Sequence, residues 1–419
     1  MNLFISPTWV TTDTAVNYKN NITLVRYFDR SWNDEWTNKP GGAKVGYSVQ
    51  VRLPQVFQVV EGQALVQQPI LNRTVPITLN HQYHVGMGWS SADSALLVEE
   101  AQKITEKAGI ALANKTDVIA GAEVYKSVYF SIGPLSAIPL TGLNPNVTFD
   151  GAFTDGVAKL RNVGVPEELY ACIDPKTQSN LLKVAFNQFN PQQWVGKSFT
   201  KGEFSGPALG VDRWAWDPNI PTHVTGSFTA STPLVDGALQ TGSTLVLKGF
   251  GTYSFNAGDT FLVAGVDASN PQSFIDTGDV QEFTIQTAVS GAGGVTLTIS
   301  PPIVTSGPLQ TVTASPANNA SVFFRMSSGG VTNAVNITMA AQTSRQSLIF
   351  HPEAFAFVMA DLPVPLAGAN SKRKNDADAK ISMRWTEQFN IQTDAELSKM
   401  EVLIGVAPIL PYFALRIWG

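Results

Sequence analysis

The chain has 419 residues, of which 44% are apolar and 15% charged. That length exceeds one ordinary hydrophobic core and the composition is that of a folded chain, so two or three domains are expected and disorder is excluded. The net charge of −5 excludes a chain that grips nucleic acid over its whole surface.

Cys172 is the single cysteine, so no intrachain disulfide is expected, in keeping with a reducing compartment. Met1 to Val10 lack a basic stretch followed by an apolar one, and no signal peptide is expected. The most apolar segment, Val402 to Trp418, holds Pro408, Pro411 and Arg416, which reads as strands and not as a membrane span.

Residues 13–39 read as a helical arm. Leu24, Phe28, Trp32 and Trp36 fall four apart, which predicts one aromatic stripe that docks either on the chain's own core or on a neighbour. From Val45 to Leu53, and again from Thr74 to Asn80, apolar and polar residues alternate, which predicts two strands of one long hairpin over residues 44–89. An isolated two-stranded ribbon is marginal in water, so a partner surface is expected to hold it. Ser90 and Asp93 resemble a capping box, and Leu97, Ala101, Ile104, Ala108 and Ala111 predict the apolar stripe of a long helix within residues 90–135. Phe153, Val157 and Leu160 mark a further helix stopped by Gly164. Asp174 and Pro175 form an N-cap and first-turn pair for the next, with Leu181, Leu182, Ala185 and Phe186 on its buried face.

Near residue 222 the composition breaks. Gly226 to Phe323 contain one basic residue, Lys248, and six acidic ones, Asp236, Asp259, Asp267, Asp276, Asp279 and Glu282, while the rest balances 27 against 27. Short strands are predicted at Thr244–Lys248, Thr260–Ala264, Glu282–Thr287, Val295–Ile299 and Ser321–Phe324, separated by Gly-rich turns. Residues 226–323 thus read as a small antiparallel barrel or sandwich inserted into a parent domain spanning 136–225 and 324–362. Phe350 to Val358 read as a Pro-started helix, and 363–380 as a charged loop carrying Lys372, Arg373 and Lys374. Strands around Ile381, Met383 and Trp385 and over Val402–Trp418 are expected to close the sheet of residues 363–419.

Catalytic signals are weak. There are four histidines; His81 and His84 fall on opposite faces of a predicted strand, and His223 and His351 stand apart. The nucleophile-elbow, zincin and P-loop motifs do not occur. Gly249-Phe-Gly251 lacks the third glycine of a phosphate cradle, and the acidic residues of the insert lack calcium-loop spacing. No cofactor, no metal and no enzymatic activity are expected. Lys372-Arg-Lys374 touching DNA is the less favoured reading, because Asp376 and Asp378 follow closely.

Arm, hairpin, long helix, mixed α/β region, inserted β-domain and closing strands, in that order, resemble the Hong Kong 97-type capsid fold of tailed phages. Within it the chain is similar to coat proteins of short-tailed Salmonella-type phages (podoviruses), which carry an inserted β-barrel. Three stretches carry that likeness: Asn256-Ala-Gly-Asp259 through Phe261–Val266, Val295 through Pro302, and Leu348 through Phe355 with Leu362-Pro-Val-Pro365 behind it. The resemblance implies an α+β protein whose 1–43 is an N-terminal arm, 44–89 an extended loop, 90–135 spine and peripheral domain, 136–225 and 324–362 an axial domain, and 363–419 closing peripheral strands. It implies a major coat protein assembling with itself into pentamers and hexamers of an icosahedral head around double-stranded DNA, which it encloses without specific binding. Scaffolding and portal proteins are implied partners, with room for a decoration protein. The implied place is the virion, after assembly in the host cytoplasm. Phe28, Trp32, Trp36, Arg52, Arg73 and Asp236 are the expected subunit contacts, although the insert stretch Thr232–Ser243 is short and holds only one charge, Asp236. A tail or decoration protein would not need so long a helix after a long hairpin. A carbohydrate-active enzyme would need paired carboxylates on a cleft, which are not recognisable here.

Overall fold

The computed structural model describes residues 7–37, 46–63, 65–68, 70–90, 101–133, 149–188, 207–326, 330–332, 337–365, 370–376 and 379–419. The helices are α1 (Pro7–Asn21), α2 (Asp34–Thr37), α3 (Ala101–Val124), α4 (Phe149–Asn162) and α5 (Pro175–Gln188). The first strands are β1 (Ser48–Arg52), β2 (Thr74–Ser90), β3 (Phe130–Ile132), β4 (Tyr170–Ile173), β5 (Arg213–Trp216) and β6 (Thr222–Val224). Next come β7 (Ser227–Val235), β8 (Gly242–Phe255), β9 (Thr260–Ser269), β10 (Asp276–Ile285), β11 (Val289–Ile303), β12 (Val322–Met326), β13 (Gly330–Thr332) and β14 (Ile337–Met339). The last are β15 (Thr343–Phe350), β16 (Phe355–Met359), β17 (Asn370–Asp376), β18 (Ile381–Asn390), β19 (Ala395–Pro408) and β20 (Ala414–Trp418). The chain is mixed α+β and mostly sheet, in two compact units.

The first unit takes Met1–Arg52, Thr74–Ala120 and Phe355–Ile409. Its antiparallel sheet has the order β1-β2-β19-β18-β17, with β16 also on β19. The β1–β2 ladder is short, running from Ser48–Thr78 to Arg52–Thr74. The longer partner of β2 is β19, from Ser90–Ala395 to Leu79–Gly405. So Ser90 ends a strand, and residues 91–100, with Asp93 and Leu97 of the expected helix start, lie outside the described residues.

The expected stripe on the long helix is off by about one residue. Ile104 and Ala111 are exposed, while Thr105, Ala108, Leu112, Thr116 and Ala120 are buried. The buried face carries polar residues because they bond to the arm. Thr105 donates to Asp13 at 2.9 Å, and Tyr18 donates to Thr116 at 3.0 Å. Gly109 permits the close approach of α1, since a Cβ there would sit 2.9 Å from the Thr14 carbonyl oxygen.

The arm is not one helix. After α1 it breaks into two 3-10 turns, Val25–Tyr27 and Ser31–Asn33, before α2. Leu24, Val25 and Phe28 are buried in this unit. Phe28 packs against Phe355 with ring centroids 5.1 Å apart and planes tilted by 50°, and Asp29 exchanges backbone hydrogen bonds with Phe355 and Phe357. Of the two dockings left open by the sequence, Leu24 to Asp29 take the one on the core of their own unit.

Phe350 to Val358 form only one 3-10 turn, Pro352–Ala354, followed by β16, buried on both faces. A continuous apolar run of this kind is how a doubly buried strand reads, and periodicity alone does not separate it from a helix. The expected charged loop is in part β17, an edge strand whose Lys372, Arg373 and Lys374 are exposed. Charged edges oppose pairing with a further strand.

The second unit takes Leu53–Arg73, Gly121–Ala354 and Leu410–Gly419. One sheet has the order β3-β20-β15-β4-β5, with β6 also on β15. The predicted α4 and α5 are present. Asp174 caps α5 by accepting from the backbone N–H groups of Lys176 and Thr177 at 3.2 and 3.3 Å. The chain leaves this sheet after β6 and returns to it at β15. Between them lies an eight-stranded antiparallel sheet of order β13-β12-β9-β10-β11-β8-β7-β14. It curls around one apolar core that includes Phe228, Phe250, Phe255, Phe261, Phe283 and Phe324. Its two sides meet where Leu234 bridges Ser321 and the Val235 N–H donates to Ala320 at 3.0 Å. Gly249 lies where β8 crosses β7 so closely that a Cβ would fall 2.0 Å from the Thr232 carbonyl oxygen. That packing accounts for a glycine in Gly249-Phe-Gly251 without a phosphate.

Two expected boundaries move. The strands of the eight-stranded sheet continue past residue 323 to Met339. The closing segment splits, because Pro408 ends β19 and a 3-10 turn at Pro411–Phe413 separates it from β20, which joins the other unit. Residues 226–340 expressed alone are expected to give a dispersed β-type NMR spectrum; a collapsed spectrum would count against an independent fold.

Candidate functional site

The segment between β1 and β2 exposes apolar side chains in close succession. Phe57, Val59, Val60, Leu65, Val66 and Ile70 are all exposed, Val59 at 96% and Leu65 at 94%. Single exposed apolar residues are ordinary, whereas a cluster marks a contact surface. Backbone pairing here is sparse: Leu53 N–H donates to Arg73 at 2.9 Å. Beyond it, side-chain amides stand in for a ladder. Gln55 donates to the Leu71 carbonyl at 2.6 Å and accepts from its N–H at 3.2 Å. Gln58 N–H donates to Gln68 Oε1 at 2.8 Å, and Gln68 donates back to the Gln58 carbonyl. Such clamps fix the path of the segment without covering its apolar residues.

The six expected contact residues fall in different settings. Arg52 is exposed at the end of β1. Arg73 donates to the Pro54 carbonyl at 2.9 Å. Phe28 is buried in its own unit and is withdrawn as a contact. Trp32 and Trp36 remain half-buried, and Trp36 donates to the Gly46 carbonyl at 3.3 Å. Asp236 is exposed at the β7 end and pairs with Lys248 at 3.1 Å, so part of its charge is met within the chain.

A buried polar junction inside the second unit was not anticipated. Glu282 on β10 is buried and meets Lys159 of α4 at 2.8 Å, Arg325 of β12 at 3.3 Å and the Ser131 hydroxyl of β3. Burial by itself would raise its pKa; Lys159 and then Arg325 outweigh it and hold the carboxyl below its ordinary value. Beside it, His223 places one ring nitrogen 2.8 Å from Asp259 and the other 3.2 Å from the Tyr125 hydroxyl. Asp259 also accepts from the N–H groups of Gly226 at 3.0 Å and Asn256 at 2.8 Å. Arg416 of β20 is fully buried, donates to the Gly258 carbonyl at 2.9 Å and lies over the rings of Tyr125 and Trp418. Burial lowers its pKa to about 10. These groups tie the eight-stranded sheet to the sheet it leaves and re-enters. All but Lys159, which reaches solvent in part, are turned inward, which suits a structural tie better than chemistry on a substrate.

Among the described residues no group of three His, Cys, Asp or Glu side chains is placed to hold a metal ion. Among them, too, no helix is long and apolar enough to cross a membrane.

No family model matches the chain, and no curated protein matches it. Solved structures do. The capsid of the cyanophage P-SCSP1u is similar at 11% identity over 93% of this chain and 88% of that one, with a TM-score of 0.38. The mature capsid of bacteriophage PhiM1 is similar at 10% identity over 89% and 82%, with a TM-score of 0.39. A virus-like particle from Pyrococcus furiosus is similar at 9% identity over 98% of both chains, with a TM-score of 0.38.

Proposed function

We propose that the chain is a major coat protein of the Hong Kong 97 type, carrying an inserted β-barrel, that assembles with itself into an icosahedral phage head around double-stranded DNA. The observation that carries this reading is the exposed apolar segment between β1 and β2. Six large apolar side chains held open by glutamine clamps suit a surface that another copy covers. In a shell each copy meets its neighbours through unlike surfaces, so such a segment need not match itself. Trp32, Trp36, Arg52, Arg73 and Asp236 are proposed as further contacts. Scaffolding and portal proteins, with an optional decoration protein, complete the proposed assembly in the host cytoplasm. The role is structural, with no reaction and no cofactor.

Deleting residues 55–69 tests this. The deleted protein is expected to remain a folded monomer with a nearly unchanged thermal transition, because the segment's large apolar side chains are exposed and add little to the core. It is expected to yield no shells by negative-stain microscopy where the intact chain forms them. Normal shells from the deletion would sink the reading.

A further inference from the structure

Lys372, Arg373 and Lys374 stand on β17, an outer strand of the first unit's sheet. Alternate residues of a strand share a face, so Lys372 and Lys374 point the same way, about 7 Å apart along the strand. Their ladder partners, Trp385 and Met383, are buried, while both lysines are exposed. Arg373 points to the opposite face, where it meets Asp361 at 3.5 Å.

The acids that could cancel this row are held by other groups. Asp376, on the same face, pairs with Lys19 of α1 at 2.9 Å and accepts from the Ala379 N–H at 3.0 Å. Asp361 accepts from Asn375 at 2.9 Å besides meeting Arg373. Glu387 lies opposite Asn370 and accepts from it at 3.4 Å. Glu401 lies on the other face, between Arg384 and Lys399. Asp378 lies outside the described residues, and among those described no acid pairs with Lys372 or Lys374. The strand Asn370–Asp376 holds no apolar side chain, so a partner there meets charge and not apolar surface. The net −5 of the chain does not oppose a local contact, because exposed charges farther off than about 8–10 Å are screened at physiological salt.

We propose that the outer edge of β17 is a phosphate-contact strip, in which Lys372 and Lys374 bind the backbone of double-stranded DNA without reading its sequence. Each strand of a duplex carries one phosphate per about 3.4 Å of axis, so lysines about 7 Å apart match phosphates two steps apart on one strand. Lysine ammonium groups act as point charges, and phosphate contacts of this kind carry no sequence information. An acidic protein partner would bury apolar surface at the core of its interface, and this edge offers none. The strip deepens the coat reading and rests on it for its ligand, the duplex that such a shell encloses.

Titrating the unassembled full-length chain with a short DNA duplex, followed by NMR, tests the strip. The amides of residues 370–376 are expected to shift. The fitted affinity is expected to fall about sixtyfold for a tenfold rise in salt, the slope of about −1.8 that two neutralised phosphates give. K372Q/K374Q, changed at two exposed positions, is expected to lose the response. K103Q/K107Q, at exposed lysines of α3, is expected to keep it. Amides of 370–376 that ignore the duplex in the native chain would overturn the strip. So would a response that survives in K372Q/K374Q, or one lost equally in K103Q/K107Q. A tighter response to polyglutamate than to the duplex would make the partner an acidic protein and overturn it as well. A native chain that binds the duplex through β17 but forms no shells would support the strip and count against the coat reading alone.

Discussion

Replacing Glu282 with Ala is expected to destabilise the second unit by about 3–5 kcal/mol, because it leaves the buried Arg325 and the half-buried Lys159 without their shared counter-charge. Arg325 is nearly buried, and Lys159 reaches solvent in part, so most of the loss falls on Arg325. Replacing Glu282 and Arg325 together with Leu is expected to cost less than the two single changes added, since the pair's desolvation disappears along with its attraction. Chemical unfolding of the four proteins measures the coupling, expected to exceed about 1 kcal/mol for groups in direct contact. Strictly additive losses would show that Glu282 is not what holds Arg325. The pH dependence follows the sign of the shift. Glu282 is held below its ordinary value, so its contribution is present above about 4.3 and is lost as pH falls through the folded value. Acid unfolding of the second unit is therefore expected to begin at a higher pH in the intact chain than in a Glu282→Gln variant that has been matched for stability at neutral pH.

That junction marks the limit of what local patterns show. His223, Asp259 and Tyr125 are brought together across 36 and 98 positions, and no spacing rule links them. A signal was nevertheless present: Arg325 and Arg416 each interrupt an otherwise apolar strand. A charge inside an apolar run is either an error of reading or a buried pair, because an isolated buried charge is too costly to keep. Where residues form one-sided elements, the local reading succeeds. Val49 and Val51 alternate because β1 has two unlike faces, and Asp174-Pro175 caps α5 because capping is local. It fails where tertiary contact overrides periodicity. Polar Thr105, Thr116 and Asp117 face inward on α3 to meet the arm, and β16 is apolar throughout because both its faces are covered. The exposed segment between β1 and β2 was legible as a chain too long for its own core, but the glutamine clamps were not, since a side-chain amide imitating a ladder leaves no periodic trace.

Replacing Phe28 with Ala is expected to lower the stability of the first unit by about 3–5 kcal/mol, the usual cost of emptying a buried aromatic site. The side chain is buried, packs on Phe355 and sits in a stretch whose backbone bonds to β16 on both sides of Asp29. Asp117 strengthens the same attachment from α3, accepting from the N–H groups of Thr23 at 2.8 Å and Val25 at 3.0 Å. An Asp117→Ala change leaves both donors without their partner, and a buried donor so stranded costs about 1–3 kcal/mol. Trp32 and Trp36 are half-buried, so Ala at either position is expected to cost clearly less in the monomer and to act on assembly instead. Thermal melting beside particle yield separates the two parts of the arm. Phe28→Ala should shift melting first, and Trp32→Ala with Trp36→Ala should shift yield first. If Phe28→Ala melts like the intact chain while its shells fail, the arm is a docking element that leaves its own core. If the tryptophan pair lowers melting as much as Phe28→Ala does, the whole arm is core and the outward role of Trp32 and Trp36 is wrong.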